Sequence, residues 1–427
     1  MVYNISQFNQ DEKLYAMNTL FPLITEYNEE FKEYYTYRQI YFKWNINSEA
    51  YRLHKQYTDF PDPSYYWVYP KGEEPKERHV LFGTYYIQHE IWKHQFPATC
   101  DDKKFLIVPL WHLGIGSIIH ILVYALTWAL ETDRILITKN FLGSKWGDLE
   151  FCDAGNQSIL CYLQPITNCT VSEEDAKKAF HNNTIFESDT HAHLPSLSSL
   201  SQVVNCKYVY SPNNITLQLQ VPSIVHKVMV TESSNHYCRW YWRMQGATFI
   251  TRLNERTMNW IREYEKETCE ECKNEYDISL HIRHGDKGIE VRLVDADVYK
   301  EAIKIITSLG MKKNYTVYVN ADDEESIHSI HSLPYSISSF DHARHNYGIL
   351  ELNQQSHIGL ISFADLFNHI RADHCIGTIS SNWCQLIYGL RSTVGMKSDG
   401  FIVEVGDQKC ISYSHCILKK AQSIRWV

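Results

Sequence analysis

Apolar and polar positions alternate most regularly in the last third of the chain. Ile278, Leu280 and Ile282 alternate as in a half-buried strand, and the apolar pattern stops at Arg283. Strand-like and helix-like segments then follow one another, which predicts a doubly wound parallel sheet. The predicted elements are strand 278–282, helix 296–308, strand 316–319, helix 324–333, helix 361–369, strand 375–379 and helix 383–390.

A second α/β pattern lies nearer the start of the chain. A strand is predicted at 105–110, a turn at Gly114 and Gly116, a helix at 117–130 and a strand at 134–137. The apolar run 111–130 contains two histidines and two glycines, so we interpret it as a buried helix rather than a membrane span. The turn lacks the third glycine of a dinucleotide fingerprint.

The remaining segments carry weaker patterns. Residues 1–60 are rich in charge and tyrosine and have helical spacing, which predicts a helical stem that could pair with a second copy of the chain. Four prolines in 59–75 predict an extended connector. The segment 140–221 is rich in Cys, Ser and Asn and predicts a disulfide-tied loop region. A single long helix is predicted over 248–266, followed by a CxxC at 269–272 that favours a local disulfide.

Composition restricts the class of protein. The formal charge of −9 argues against a nucleic-acid groove. The 29 Tyr and 11 Trp suit sugar-stacking surfaces, although a tyrosine-rich core explains them equally well. Twelve cysteines are many for a reduced cytosolic protein, whereas six Asn-x-Ser/Thr sequons carry less weight, because composition alone gives roughly three. Together with the family resemblance described below, they favour the secretory lumen. The first ten residues lack the apolar core of a signal peptide, so we expect either a truncated N-terminus or another route to the lumen.

A dense group of charges follows the strand 278–282. Arg283, His284, Asp286, Lys287 and Glu290 fall within eight positions and are interrupted by two glycines. Arginine offers a planar fork for a phosphate and lysine a compact charge beside it. Charges at the end of such a strand fit a ligand site at the carboxyl edge of a sheet. A solvated turn with surface ion pairs is the alternative.

Four blocks of sequence carry a resemblance to a known family. His281-x-Arg283-x-x-Asp286-Lys287…Glu290 resembles the donor-binding signature of the eukaryotic α1,6-fucosyltransferases, which bacterial nodulation-factor fucosyltransferases share. The other blocks follow the same order along the chain. They are the strand and turn at 105–120, Tyr318-Val-Asn-Ala-Asp322-Asp323, and Asp365 followed by 374–384 with Ser380 and Ser381.

The resemblance implies a fold and an activity. It implies a GT-B-like α/β fold with two facing α/β domains, the C-terminal one a Rossmann-type domain that binds the nucleotide sugar. We expect a helical stem and linker at 1–90, an N-terminal α/β domain at 91–275 and the GDP-fucose-binding domain at 276–427. The implied reaction is inverting transfer of fucose from GDP-fucose to the 6-OH of the innermost GlcNAc of an N-glycan in the Golgi, with no metal.

The resemblance also implies roles for individual residues. Arg283 and Lys287 would neutralise the departing diphosphate, and Glu290 would act as the general base. Asp286 would hold the turn or orient Lys287. The remaining donor-binding positions are His281, His284, Asp322, Asp323, Asp365, Ser380 and Ser381. For Asp323 a helix N-cap is the competing interpretation, because a helix is predicted to start at 324.

The chain departs from the family at several points. His284 replaces the second arginine of the family's HxRR, and the turn before Glu290 is one residue shorter. Cys375 and Cys384 flank the serine turn where the family has a disulfide, but its partner position is Gly377 here. Residues 391–427 are too few for the family's C-terminal barrel. A fucosyltransferase with another acceptor (chitin-type oligosaccharide, other glycan, or protein Ser/Thr) and a donor-binding pseudoenzyme or lectin-like module remain alternatives.

Overall fold

The computed structural model describes the α/β part of the chain. The described residues are 84–110, 113–140, 146–153, 157–176, 203–205, 221–226, 235–269, 275–284, 293–308, 314–340, 357–378, 381–395, 402–405 and 424–426. The predicted stem and connector lie outside these ranges, and so do Asp286, Lys287, Glu290 and Ser380.

The first α/β unit contains a three-stranded parallel sheet. Its strands are β1 (Lys104–Pro109), β2 (Arg134–Lys139) and β3 (Val203–Asn205), in the order β2-β1-β3. Helix α1 (Thr84–Gln95) precedes β1. Helix α2 (Ile115–Glu131) connects β1 to β2, which confirms the predicted βαβ start. Sequence pattern did not predict β3, which lies in the segment interpreted as loops.

Two helices replace the single helix predicted over 248–266. After the short α3 (Ser223–His226) come α4 (Asn235–Ile250) and α5 (Glu255–Thr268). The prediction of one helix is wrong because the chain turns at 251–254. Leu253 forms an isolated bridge with Leu163, and the Asn254 side chain accepts a 2.9 Å hydrogen bond from Thr257 N as the N-cap of α5.

The second unit is the predicted doubly wound sheet. Its strand order is β6-β5-β4-β7-β8-β9, and all pairs are parallel except β8–β9. Strands β6, β8 and β9 were not predicted, and β9 adds an antiparallel edge. The strands are β4 (Ile278–Ile282), β5 (Thr316–Ala321), β6 (Ser336–Ser338), β7 (His374–Gly377), β8 (Ile402–Val405) and β9 (Ile424–Trp426). The helices are α6 (Ala296–Ser308), α7 (Glu324–His331), α8 (Ile358–Arg371) and α9 (Asn382–Ser392).

Strand β4 lies at the centre of this sheet and is buried on both faces. Ile278, Leu280 and Ile282 pack into the cluster that includes the apolar residues of α6. Ser279 and His281 are buried as well, on the opposite face, where the His281 ring meets that of His369 from α8. The prediction of a buried strand is therefore confirmed, but both faces are buried rather than one, because helices cover both faces of the sheet.

The two units share one hydrophobic core. Apolar residues of α8 and α9, which belong to the second sheet, pack in the same cluster as those of α2, α4 and α5. The buried apolar helix α2 is as predicted. Among the described helices, none is both long and apolar enough to cross a membrane.

Cysteine pairing agrees in part with expectation. Bonds join Cys100 to Cys169 and Cys152 to Cys161, so the segment 140–221 is tied by disulfides as predicted. Cys269 of the CxxC is also disulfide-bonded. Cys375 and Cys384 are buried free thiols, so the disulfide of the resembling family is not formed at the serine turn.

Candidate functional site at the topological switch point

The strand order locates a ligand site between β4 and β7. The chain proceeds from β4 outward through β5 to β6, and then crosses to β7 on the other side of β4. The direction of winding therefore reverses between β4 and β7. In open α/β sheets, ligands bind in the crevice outside the carboxyl ends of the strands at this point. Arg283 follows β4 directly, and Ser381 follows β7 at the start of α9.

Arg283 is held in place by a carboxylate from the neighbouring strand. Its Nη1 donates to Asp322 Oδ2, and the other oxygen of Asp322 accepts a 2.7 Å bond from His284 N. The Arg283 side chain keeps 25% of its surface exposed, against 11% for Asp322. The Arg283 side chain is therefore partly accessible at the switch point, and Asp322 holds both its guanidinium and the backbone of the next residue.

His284 and Asp323 contact each other where the chain leaves β4. The His284 Nε2 lies 2.8 Å from Val294 O, and its Nδ1 lies 2.9 Å from Asp323 Oδ2 and 3.1 Å from Ser326 Oγ. Asp323 is also the N-cap of α7, since its Oδ1 accepts a 2.8 Å bond from Ser326 N. Both His284 nitrogens are thus engaged within the protein, and the N-cap interpretation of Asp323 is correct.

A buried polar chain runs from His281 to Asp365. His281 Nδ1 lies 2.9 Å from Asn320 Oδ1, and Asn320 Nδ2 donates to Asp365 Oδ2 at 2.7 Å. The second oxygen of Asp365 accepts a hydrogen bond from the Tyr318 hydroxyl. Burial lowers the pKa of His281 to about 4, although Asp322 opposes the shift. His281 is therefore neutral near pH 7, with its Nδ1–H donated to Asn320.

The floor of the crevice is packed closely. At Gly377 a Cβ would lie 2.6 Å from Cys384 Sγ and 3.3 Å from the Tyr388 hydroxyl, so no larger residue fits there. The hydroxyl of Tyr299 on α6 lies against Thr378 and the backbone of Arg283, and burial raises its pKa well above the usual value. Tyr299 is therefore a neutral phenol that supports the two segments on either side of the switch point.

Two helix N-termini meet at the edge of the crevice. Ser381 caps α9, and its side chain accepts a hydrogen bond from Cys384 N. Asn382 Nδ2 donates to Ser117 Oγ on α2 at 2.8 Å, and the Asn382 carbonyl accepts from His120 Nε2 at 3.1 Å. Burial, followed by the charge of Arg243, lowers the pKa of His120 to about 3, so this histidine is a neutral donor. Amide groups at a helix N-terminus attract anions.

The structure thus brings together the described part of the predicted site. Arg283, His284, Asp322 and Asp323 form one bonded group after β4 and β5, and His281 and Asp365 belong to the neighbouring polar chain through Asn320. Ser381 lies across the switch point. Sequence reasoning missed Asn320, Tyr299 and Asn382 as supports of this site. Asn320 could have been found from its spacing, because it lies two residues before Asp322, as His281 lies two residues before Arg283. The register of β4 and β5 places the two side by side.

Metal-binding side chains do not cluster in the described ranges. No group of three or more His, Cys, Asp or Glu there could hold an ion. The adjacent pair Asp322-Asp323, which follows strand β5, is engaged by Arg283, His284 and backbone amides.

No protein-family model and no curated protein matches this sequence. Several solved structures overlap it at low identity. They include NodZ alpha-1,6-fucosyltransferase soaked with GDP-fucose, with a TM-score of 0.38 and 12% identity over 74% of this chain and 99% of that one. A mutant of Arabidopsis thaliana FUT1 with GDP overlaps with a TM-score of 0.42 and 9% identity, over 77% of this chain and 76% of that one. POFUT1 in complex with GDP-fucose overlaps with a TM-score of 0.36 and 12% identity, over 69% of this chain and 97% of that one.

All three TM-scores lie below 0.5, and the fold is defined by the strand order of this chain. That order defines a protein of two α/β units, one of them doubly wound, with a partly exposed arginine and a helix N-terminus at its switch point.

Proposed function

We propose that this protein is an inverting glycosyltransferase that transfers fucose from GDP-fucose to the 6-OH of the innermost GlcNAc of an N-glycan. The observation that carries the proposal is the position of Arg283 directly after β4 and of the α9 N-terminus after β7, on the two sides of the switch point. A nucleoside diphosphate presents two adjacent anionic groups, and a guanidinium held by Asp322 together with the positive end of a helix suits them. The donor and acceptor named here come from the family resemblance of the sequence.

The diphosphate would be stabilised by fixed protein groups. Arg283 is oriented by Asp322, and Ser381 with the first amides of α9 lies opposite it. Such preorganised donors stabilise the charge that develops on the departing GDP without needing a metal. We place Lys287 on the same group and Ser380 beside Ser381, as the resemblance implies.

The nucleoside would lie toward Asp365. Its two oxygens accept from Tyr318 and Asn320, and the resemblance implies that this carboxylate would also accept from a guanine N–H. His281 and Asn320 fix this carboxylate through the buried polar chain. Asp322 and Asp323 would act on the donor indirectly, by holding Arg283 and His284.

The transfer step needs a base on the acceptor side. The acceptor oxygen attacks the anomeric carbon of fucose from the face opposite GDP, the bond from that carbon to the diphosphate oxygen breaks, and the hydroxyl proton passes to Glu290. A positioned carboxylate of this kind contributes roughly 10²–10⁴-fold. Asp286 would hold the turn that carries Lys287 and Glu290.

The disulfides support a location in the secretory lumen, and we propose the Golgi. Two bonds, Cys100–Cys169 and Cys152–Cys161, are typical of an oxidising compartment.

A homodimer through the stem at 1–60 is part of the same proposal. Sedimentation of the chain with and without those residues would test it.

Transfer from labelled GDP-fucose tests the function directly. The full chain should fucosylate an N-glycopeptide at its innermost GlcNAc, and the Glu290→Gln variant should bind GDP normally while transfer falls about a hundredfold or more. Chitin oligosaccharides and a serine- or threonine-bearing protein domain are the comparison acceptors. Transfer only to one of these would replace the acceptor in the proposal, and GDP binding without any transfer would show a pseudoenzyme.

A further inference from the structure

A groove on the first unit is formed largely by one face of helix α5. The positions involved recur at intervals of three and four residues, so their side chains project from the same side of the helix. The groove has a volume of about 510 Å³, within the roughly 300–1,000 Å³ usual for small-molecule sites. It is lined by Phe151, Glu255, Arg256, Asn259, Trp260 and Glu263.

Trp260 is held in a fixed orientation within this groove. Its ring stacks on Tyr264 with centroids 4.7 Å apart, and the ring of His357 lies 5.9 Å away. His357 is itself fixed, because its Nδ1 lies 2.7 Å from Asp148 Oδ2 and the Asp148 side chain is only 1% exposed. An aromatic ring that is already ordered can bind a ligand without a further loss of side-chain freedom.

The polar groups around Trp260 disfavour anionic ligands and purely apolar ligands. Arg256 lies with its guanidinium 4.3 Å from the Phe151 ring centroid, and it reaches Asp153 at 4.0 Å. Glu255 and Glu263 leave the lining with two carboxylates against this single, partly engaged cation, so an anion such as a nucleotide is repelled. An apolar ligand would bury these carboxylates and the Asn259 amide without hydrogen bonds.

We propose that this groove binds a neutral oligosaccharide. Sugar hydroxyls donate to the carboxylates of Glu255 and Glu263. The Asn259 Nδ2 donates to a sugar oxygen, while its Oδ1 already accepts from Arg262 Nη1 at 3.0 Å. The C–H face of a pyranose ring packs on the surface that Trp260 presents. The proposal concerns the first unit alone and does not depend on GDP-fucose. If the proposed transfer is correct, the groove holds a part of the acceptor away from the reacting hydroxyl.

Direct titration of the full chain tests the proposal. The probes are chitotriose and a linear mannotriose, followed by saturation-transfer NMR and by tryptophan fluorescence. At least one should bind. Trp260→Ala should weaken binding by roughly tenfold or more, and Glu263→Gln and Asn259→Ala by about threefold to tenfold each, through the loss of one hydrogen bond. Glu174→Gln, an exposed carboxylate outside the groove, should change nothing.

The outcomes separate this proposal from the donor site. Because Trp260 is partly buried, the unfolding temperature of each variant must match that of the parent. The two exposed substitutions keep the test decisive if Trp260→Ala is unstable. Absence of binding by both sugars, unchanged affinity in all folded variants, or preferential binding of a cationic peptide would overturn the proposal. GDP affinity should be the same in every groove variant. A loss of GDP affinity in one of them would contradict the placement of the donor at the switch point, not the binding of a sugar in the groove.

Discussion

Replacing Arg283 by lysine tests whether the guanidinium holds a diphosphate. In the structure Nη1 is committed to Asp322, while a quarter of the side chain is exposed at the switch point. In the proposed site the arginine bonds its carboxylate and the diphosphate at the same time. A lysine ammonium keeps the charge but lacks the fork, so it must divide itself between the two partners. A hydrogen bond to a charged group contributes about 1.5–3 kcal/mol. We expect Arg283→Lys to lose about 2 kcal/mol of GDP affinity, roughly thirtyfold.

Calorimetric titration with GDP measures this loss. Arg262→Lys is a matched control, because Arg262 is on α5 and bonds Asn259 at 3.0 Å, away from the switch point. The Asp322→Asn variant, which releases the guanidinium, should also weaken GDP binding. If Arg283→Lys binds GDP as tightly as the parent while Asp322→Asn does not, the carboxylate has a role that the proposed site does not give it. Equal affinity in all variants would remove Arg283 from the diphosphate site.

Three further predictions follow from the same structure. EDTA should leave fucosyl transfer intact, because fixed cations and helical amides neutralise GDP, and a strict need for added divalent metal would contradict this. Burial lowers the pKa of His281 and His374 to about 4. The unfolded chain therefore binds more protons between about pH 4 and 6.5. The free energy of unfolding should therefore decrease as the pH is lowered from about 6.5 to 4, by up to about 1.4 kcal/mol per pH unit for each histidine. Denaturant titration of His374→Gln should show a smaller decrease over the same range. Gly116→Ala should destabilise by about 1–3 kcal/mol, since its Cβ would lie 2.9 Å from the backbone of Asn382, whereas Gly114→Ala has open space and should be neutral in thermal unfolding.

The elements that sequence predicted well are those whose own residues carry the signal. Strand β4 and helix α6 were found with their observed bounds, because apolar residues in their respective periods are continuous in both. The break between α4 and α5 was missed because the helical period continues across it. Only the capping residue Asn254 marks the new start, and the bridge from Leu253 to Leu163 is a contact distant in sequence.

The candidate site was predictable as a set of residues but not as a set of roles. The charged turn after β4 and the Asp322-Asp323 pair are visible in the sequence. That Asp322 binds Arg283 and that His284 and Asp323 bind each other depends on β5 lying beside β4. The short strands β3 and β9 have three residues each, too few for a period, and exist through pairing with longer neighbours.

The contact between the N-termini of α2 and α9 restricts how the two units can move. Gly116 lets the α2 backbone approach Asn382 so closely that a methyl group would not fit, and Arg243 on α4 bonds both Gln385 and Tyr124 beside it. A sliding motion of α2 along α9 would break these bonds and drive side chains into backbone. A closure of the crevice that keeps these contacts would be a rotation about Gly116, with the crevice edges farthest from that point moving most. A spin-label pair placed beside the pivot should keep its distance when GDP binds.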